Sequence, residues 1–311
     1  MRGMGKLVWP LVALVLLYGF GLVSGEPLEM RVVLLQSAKV MLVAVGMTLV
    51  IATGGVDLSV GSVMAIAGAI GGVLLGRAEV PLPVAVGAAL AGGLAVGVLN
   101  GVLVSAVKIQ PIIATLIFMV LGRGVAMLIT DGRPVRIENE GFLWFGEWAP
   151  VLVVVVFVVT FLLLNRTALG LFVAAVGDNE VASRLVGLRS GLIKTLVYGF
   201  SGLCAGVAGI VAAARVETAD ATRLGELVEL DAIFAVVVGG TALAGGRFSL
   251  VGSMLGALLI QMLSYTMINQ GMPPEITPVP KALVIVLVCL MQSERFRGQV
   301  FRVFRKKGVV A

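Results

Sequence analysis

The 311-residue sequence contains no histidine. That removes Ser-His-Asp and Cys-His catalysis, and any histidine-ligated metal centre. It has only two cysteines, Cys204 and Cys289, each inside an apolar run. They read as small packing residues and not as a disulfide. Charged residues make up 13% of the chain, against about 25% in soluble domains. The phosphate-loop pattern G-x-x-x-x-G-K-S/T does not occur, which argues against ATP hydrolysis by this chain itself.

What is present is apolar. Hydrophobic residues reach 59%, the mean hydropathy is +1.10, and 41 glycines suit close helix packing in lipid. Apolar runs lie at about 7–23, 32–53, 59–76, 81–105, 111–130, 148–165, 195–215, 231–245, 249–269 and 276–292. Most approach the ~20 residues that a spanning helix needs. The expectation is an all-α polytopic membrane protein of about ten transmembrane helices. It forms one domain over residues 1–311, with a short basic tail at 294–311. The weakest spans are 231–245 and 276–292; the latter contains Pro278, Pro280 and Lys281. Leu7 to Val23 reads as an uncleaved first span, the alternative being a signal peptide cut near Ser24-Gly25.

Charge orients the array. With ten spans and both termini cytoplasmic, 14 of the 23 Lys/Arg but only 4 of the 17 acids fall on the inner side. This is the bias of the positive-inside rule. The net charge of +6 then reflects topology and the lipid surface, not nucleic-acid binding.

One polar stretch breaks the oily pattern: Thr53-Gly54-Gly55-Val56-Asp57-Leu58-Ser59-Val60-Gly61-Ser62. A carboxylate at membrane mid-depth costs roughly 2.5–3.5 kcal/mol, so it is kept for a reason. Two readings fit. One is a break in a membrane helix facing a polar substrate path. The other is a tight turn in which Asp57 or Ser59 caps the next helix. Gly54-Gly55 with Val60-Gly61-Ser62 recurs as Gly245-Gly246 with Val251-Gly252-Ser253, an echo too weak to define a repeat.

The longest inner loop runs from Asn165 to Lys194. Within it, Asn179 to Leu188 predicts a short amphipathic helix, capped by Asp178 or Asn179, with Val181, Leu185 and Leu188 on one stripe. Such a helix suits a membrane surface or a groove on another protein. The outer segment Glu217 to Asp231 holds five acids and one arginine, and reads either as a solvated loop or as a docking surface for a partner. Trp144 and Trp148, beside Phe142 and Phe145, read as interfacial anchors.

Three separated motifs resemble the permease subunits of ribose-type sugar ABC importers. They are GGVDLSVG at 54–61, the Gly177-Asp178-Asn179-Glu180 to Gly187 loop, and Glu229-Leu230-Asp231-Ala232-Ile233 leading to Val238-Gly239-Gly240. Within that family the stretches AVGMTLVIATGGVDLSVGSVMAIAGA, KIQPIIATLIFMVLGRGVAMLIT and GGRFSL look most like a galactofuranose-importer permease. The resemblance implies the ABC importer permease fold and no cofactor in this chain, with ATP bound by partner ATPase subunits. It also implies a second permease subunit, the same or different, and an extracytoplasmic sugar-binding protein. It casts the inner-loop helix as the coupling element that docks on the ATPase, with Asn179, Glu180, Ser183, Arg184, Leu185 and Gly187 as candidate contacts.

A neutral polyol needs hydroxyls, amides and a few charges along its route. Thr48, Thr53, Asp57, Ser59, Asn100, Gln110, Thr115 and Arg123 are polar groups in or beside the first-half spans. Asp57 and Arg123 are the charged candidates for that path; the competing reading has Asp57 capping a helix and Arg123 reaching outward. An ion-gradient-driven secondary transporter is the alternative function, and its usual mark is several carboxylates inside the spans. The residues reveal only Asp57. An intramembrane aspartate protease would need a facing pair of carboxylates, which is not evident.

Overall fold

The computed structural model describes residues 8, 10–15, 18–19, 29–273 and 276–292. The basic tail at 294–311 and part of the first predicted span lie outside the described residues. The helices are α1 (Met30–Ala52), α2 (Val60–Gly76), α3 (Leu82–Ser105), α4 (Pro111–Ile129), α5 (Glu140–Glu147), α6 (Ala149–Arg166), α7 (Leu169–Asp178), α8 (Glu180–Leu185), α9 (Ser190–Val216), α10 (Val228–Val238), α11 (Leu250–Asn269) and α12 (Pro278–Gln292). The only strands among the described residues are β1 (Val135–Arg136) and β2 (Thr218–Ala219), which pair antiparallel with Val135 opposite Ala219.

Among the described residues, six helices are long and apolar enough to cross a membrane: α1, α3, α4, α6, α9 and α11. Three other expected spans are shorter, at 17 residues for α2, 11 for α10 and 15 for α12. The run 231–245 is therefore not one continuous helix. It stops at Gly239-Gly240, with Gly240 at φ +88°, and residues 239–249 form a loop before α11. Prolines open α3, α4 and α6 in their first turn, where the missing N–H costs nothing.

Helices α1 and α9 form the centre, packed against each other and against α2, α3 and α11. The seam between α3 and α9 is glycine-lined. Gly93 and Gly97 of α3 face Gly202 and Gly206 of α9, so that a Cβ on Gly97 would sit 3.1 Å from the Cα atoms of both Gly199 and Gly202. Removing side chains lets two backbones touch, which replaces the hydrophobic drive that lipid does not supply. At the rim, α4 and α6 turn Ile113, Ile117, Val120, Leu128, Val154 and Leu162 outward. Cys204 is a free, buried packing residue on α9, as expected. Phe142 is fully buried with its ring edge-on to Phe145, and the half-exposed Trp144 and Trp148 stack with ring centroids 5.5 Å apart.

Candidate functional site

The break between α1 and α2 is held by an enclosed polar cluster. Gly54 takes φ +77°, a conformation that leaves the helix without a Cβ penalty. Asp57 is 1% exposed. Its Oδ1 accepts from the Ser59 backbone N–H at 3.0 Å and from the Ser59 hydroxyl at 2.6 Å. Its Oδ2 accepts from the Ser201 hydroxyl of α9 at 3.0 Å. Asn100 of α3 donates to Ser59 Oγ at 2.8 Å, while its own Oδ1 is buried with no partner among the described residues. Asp57, Ser59 and Asn100 are thus brought together, with Ser201 as a member that sequence reading did not select. Asp57 makes an Asx-type turn onto Ser59, the residue before α2, while α2 itself has no side-chain N-cap bond.

The other selected polar residues lie around this cluster. Thr115 donates to its own helix at Pro111 and reaches the Val56 carbonyl at 3.4 Å, as does the Tyr198 hydroxyl. Thr53 turns back to the Val50 carbonyl at 2.8 Å. Thr48 donates to Ser253 of α11 at 2.7 Å and so ties α1 to the second half of the chain. Gln110 is an exposed residue at the start of α4. Arg123 reaches out of α4, and its Nη1 donates to the carbonyls of Ala221 and Leu224 at 2.8 and 2.6 Å. It pins the 217–227 segment.

That segment differs from a solvated acidic loop. Glu229 and Asp231 belong to α10, where the Glu229 side chain packs over Gly61. Asp231 accepts from Lys281 of α12 with both oxygens, at 3.1 and 3.2 Å, and the lysine side chain is only 12% exposed. Asp57 is therefore joined by a second, partly buried and ion-paired carboxylate among the helices. Asp231 was missed because it closes a run of outer-loop acids, and Lys281 because it follows two prolines; only the fold brings them face to face.

On the opposite end, Asn179 caps α8 by accepting from Ala182 N–H at 2.9 Å. The helix is shorter than its apolar stripe, ending at Leu185 because Gly187 turns left-handed at φ +88°. Glu180 is the hub. It accepts from Lys194 at 2.5 Å and from Arg184, and pairs with Lys108 at 3.6 Å. Partial burial pushes its carboxyl up, but hydrogen bonds and charge from Lys194 and Arg184 outweigh this and hold it at about 2. Arg184 also donates to Ser190 at 2.7 Å, and Ser183 is buried. The outward-facing groups are Val181, Leu185 and Val186, with Leu185 83% exposed.

Sequence reading did not separate α7, the helix immediately before this one. Its end meets both glycine breaks. The Gly246 N–H donates to the Ala52 carbonyl at 2.9 Å, and a Cβ added on Gly177 would run into that same carbonyl and lie 2.6 Å from Gly246 N. A Cβ on Gly245 would sit 3.1 Å from Gly54 Cα. The weak sequence echo between residues 54–62 and 245–253 thus corresponds to two turns that touch.

At the end of the bundle that carries the 217–227 segment is a cavity of about 630 Å³ between α1, α9 and α11. Its polar wall is Gln36, Lys39, Arg215, Asp220, Arg223 and Gln261. Gln261 donates to Gln36 at 3.3 Å. Asp220 and Arg223 belong to the acidic outer segment read from sequence; the other four were not selected.

Apolar spans around two broken segments, with a capped helix and an exposed apolar stripe at one end, are the build of a multi-pass membrane permease. The comparisons agree. The chain belongs to the family described as branched-chain amino acid transport system / permease component, which matches residues 30–289. It is 47% identical over 283 residues to the galactofuranose transporter permease protein YtfT of Escherichia coli K12, covering 89% of this chain and 82% of the relative. It is 42% identical to the fructose import permease protein FruF of Bifidobacterium longum, covering 89% and 80%. It is also 42% identical to the ribose import permease protein RbsC of Escherichia coli K12, covering 85% of each. No solved structure matches. The chain is a transport component and not an enzyme, seated in the bacterial inner membrane as a multi-pass protein.

Proposed function

We propose that this chain is the permease subunit of an ABC importer that moves a monosaccharide inward, powered by separate ATPase subunits. The observation that carries the reading is the 47% identity to a galactofuranose permease alongside 42% identities to fructose and ribose permeases. The family description names amino acids, but all three of these relatives carry sugar names.

The arrangement is about ten spans with both termini inside. Loops that this orientation assigns to one side bond to each other, which supports it: Lys108 with Glu180 on one end, and Arg77 with Asp131 on the other. The α8 segment docks on the ATPase. Leu185, with Val181, supplies the exposed apolar contact, while Asn179, Glu180, Ser183, Arg184 and Gly187 fix its cap, ion pairs and exit turn. A second permease and an extracytoplasmic binding protein complete the complex, and ATP is bound by the partner. Thr48, Thr53, Asp57, Ser59, Asn100 and Thr115 shape the break that the path must pass, and Arg123 holds the outer segment beside it. The test is uptake of D-galactose, D-ribose and D-fructose by inverted and right-side-out vesicles. Dependence on ATP, unaffected by ionophores, is expected. Uptake that collapses with the ion gradient and ignores ATP would instead establish a secondary transporter.

A further inference from the structure

We infer that the cavity between α1, α9 and α11 is a sugar-contact site of the permease, with Lys39 as the residue that sets which monosaccharides are accepted. This inference rests on the sugar-import reading above. Its volume, about 630 Å³, falls within the roughly 300–1,000 Å³ of small-molecule sites.

The argument is one of unspent charge. Lys39 is nine residues into α1, about 14 Å along the helix at ~1.5 Å per residue. A cation at that depth needs an anion, a carbonyl or a watery cavity. The charged groups near it are Asp231, Arg215 and Lys281. Asp231, the only anion of the three, already gives both oxygens to Lys281. No described side chain or carbonyl accepts a hydrogen bond from Lys39. Arg215, also on the cavity wall, likewise makes no described ion pair, and the Arg223 side chain has only the through-space attraction of Asp220. Asp220 is the one carboxylate on that wall, and its Oδ1 is taken by the Thr222 N–H and hydroxyl. The wall therefore offers donors in excess: an ammonium, two guanidiniums and two side-chain amides.

A ligand rich in oxygen acceptors satisfies that excess. A monosaccharide presents a ring oxygen and several hydroxyls, each able to accept from Lys39 or Arg215 and to donate to Gln36 or Gln261. The Gln36–Gln261 contact is long, at 3.3 Å, so an entering hydroxyl can replace it at little loss. Removing Lys39 leaves Asp231 paired, so the substitution tests recognition without orphaning a buried acid.

The experiment compares uptake of D-galactose, D-ribose and D-fructose by wild type, Lys39→Met, Lys39→Arg and Gln261→Leu in the assembled complex. Membrane content and basal ATPase activity of each complex are matched. At least tenfold slower uptake is expected for Lys39→Met, with the ratio among the three sugars changed and partly restored by Lys39→Arg. A purely structural lysine would slow all three sugars equally, and that result overturns the inference, as does wild-type uptake in both Lys39→Met and Gln261→Leu. If Lys39→Met fails to assemble, Gln261→Leu and labelling decide. In a Cys204→Ala, Cys289→Ala background, Gln36→Cys should react with a membrane-impermeant methanethiosulfonate from outside and be protected by the imported sugar. An unreactive or unprotected Cys at that position overturns the inference. A wild-type complex that imports none of the three sugars refutes the sugar-import reading itself, a separate outcome.

Discussion

Replacing Gly177 with alanine should damage the protein far more than a one-methyl change elsewhere. The new Cβ would overlap the Ala52 carbonyl oxygen and lie 2.6 Å from Gly246 N. Both neighbours are backbone, so neither can swing away as a side chain would. They are also bonded to each other at 2.9 Å. Overpacking costs typically about 1–3 kcal/mol, and a broken buried hydrogen bond about 1 kcal/mol more. The expected loss is roughly 2–4 kcal/mol, or a fall in melting temperature on the order of 5–10 °C. The assay is thermal unfolding of the detergent-purified chain, followed by tryptophan fluorescence. Gly124→Ala is the matched control, because its Cβ meets nothing within 4 Å and a helical alanine is favourable there. If Gly177→Ala melts within a degree of Gly124→Ala, the three-way contact of α7 with the two glycine breaks is wrong. Since Asn179 and α8 follow directly, Gly177→Ala should also slow uptake more than it slows ATP hydrolysis by the complex.

Three further outcomes follow from the buried charges. Lys281→Met should cost about 3–5 kcal/mol by leaving Asp231 unpaired in the bundle, whereas Lys281→Met with Asp231→Asn should recover most of it, as read by urea or thermal unfolding. Glu180 has a folded-state carboxyl held below its unfolded value, so its stabilisation of α8 is full above pH ~4.5 and is lost as pH falls toward about 2; Glu180→Gln should show that low-pH mobility of α8 already at pH 7, read by an environment-sensitive probe at position 186. Asp57→Asn and Arg123→Gln should each lower uptake at matched expression, the first by weakening the Ser59 and Ser201 bonds that hold the break and the second by releasing the Ala221 and Leu224 carbonyls; normal uptake in both would remove them from the transport route.

Much of the fold was legible because apolar run length is a direct physical signal. The runs at 32–53, 81–105, 111–130, 148–165, 195–215 and 249–269 all became long helices. The break at Thr53–Ser59 was legible because paired glycines and a carboxylate have no other place in such a run. The Asn179 cap was legible because its chemistry is local. What sequence could not give was anything made by two distant segments. Ser201 joins Asp57 across 144 positions, Lys281 joins Asp231 across 50, and Gln261 meets Gln36 across 225. Lys39 escaped notice as one of two cations, with Arg31 at the helix start, in a 23-residue apolar helix, although intramembrane charge was the signal that could have found it. The run 231–245 misled because its hydropathy continues through Gly239-Gly240, where the backbone does not.

The most direct test of the central claim is isolation of this chain from its native membrane in mild detergent, with the co-purifying proteins sequenced. The account predicts recovery of an ATP-binding cassette ATPase in stoichiometric amount, lost when Leu185 is replaced by aspartate. A chain that comes away alone, under conditions that hold a known ABC importer together, would contradict it.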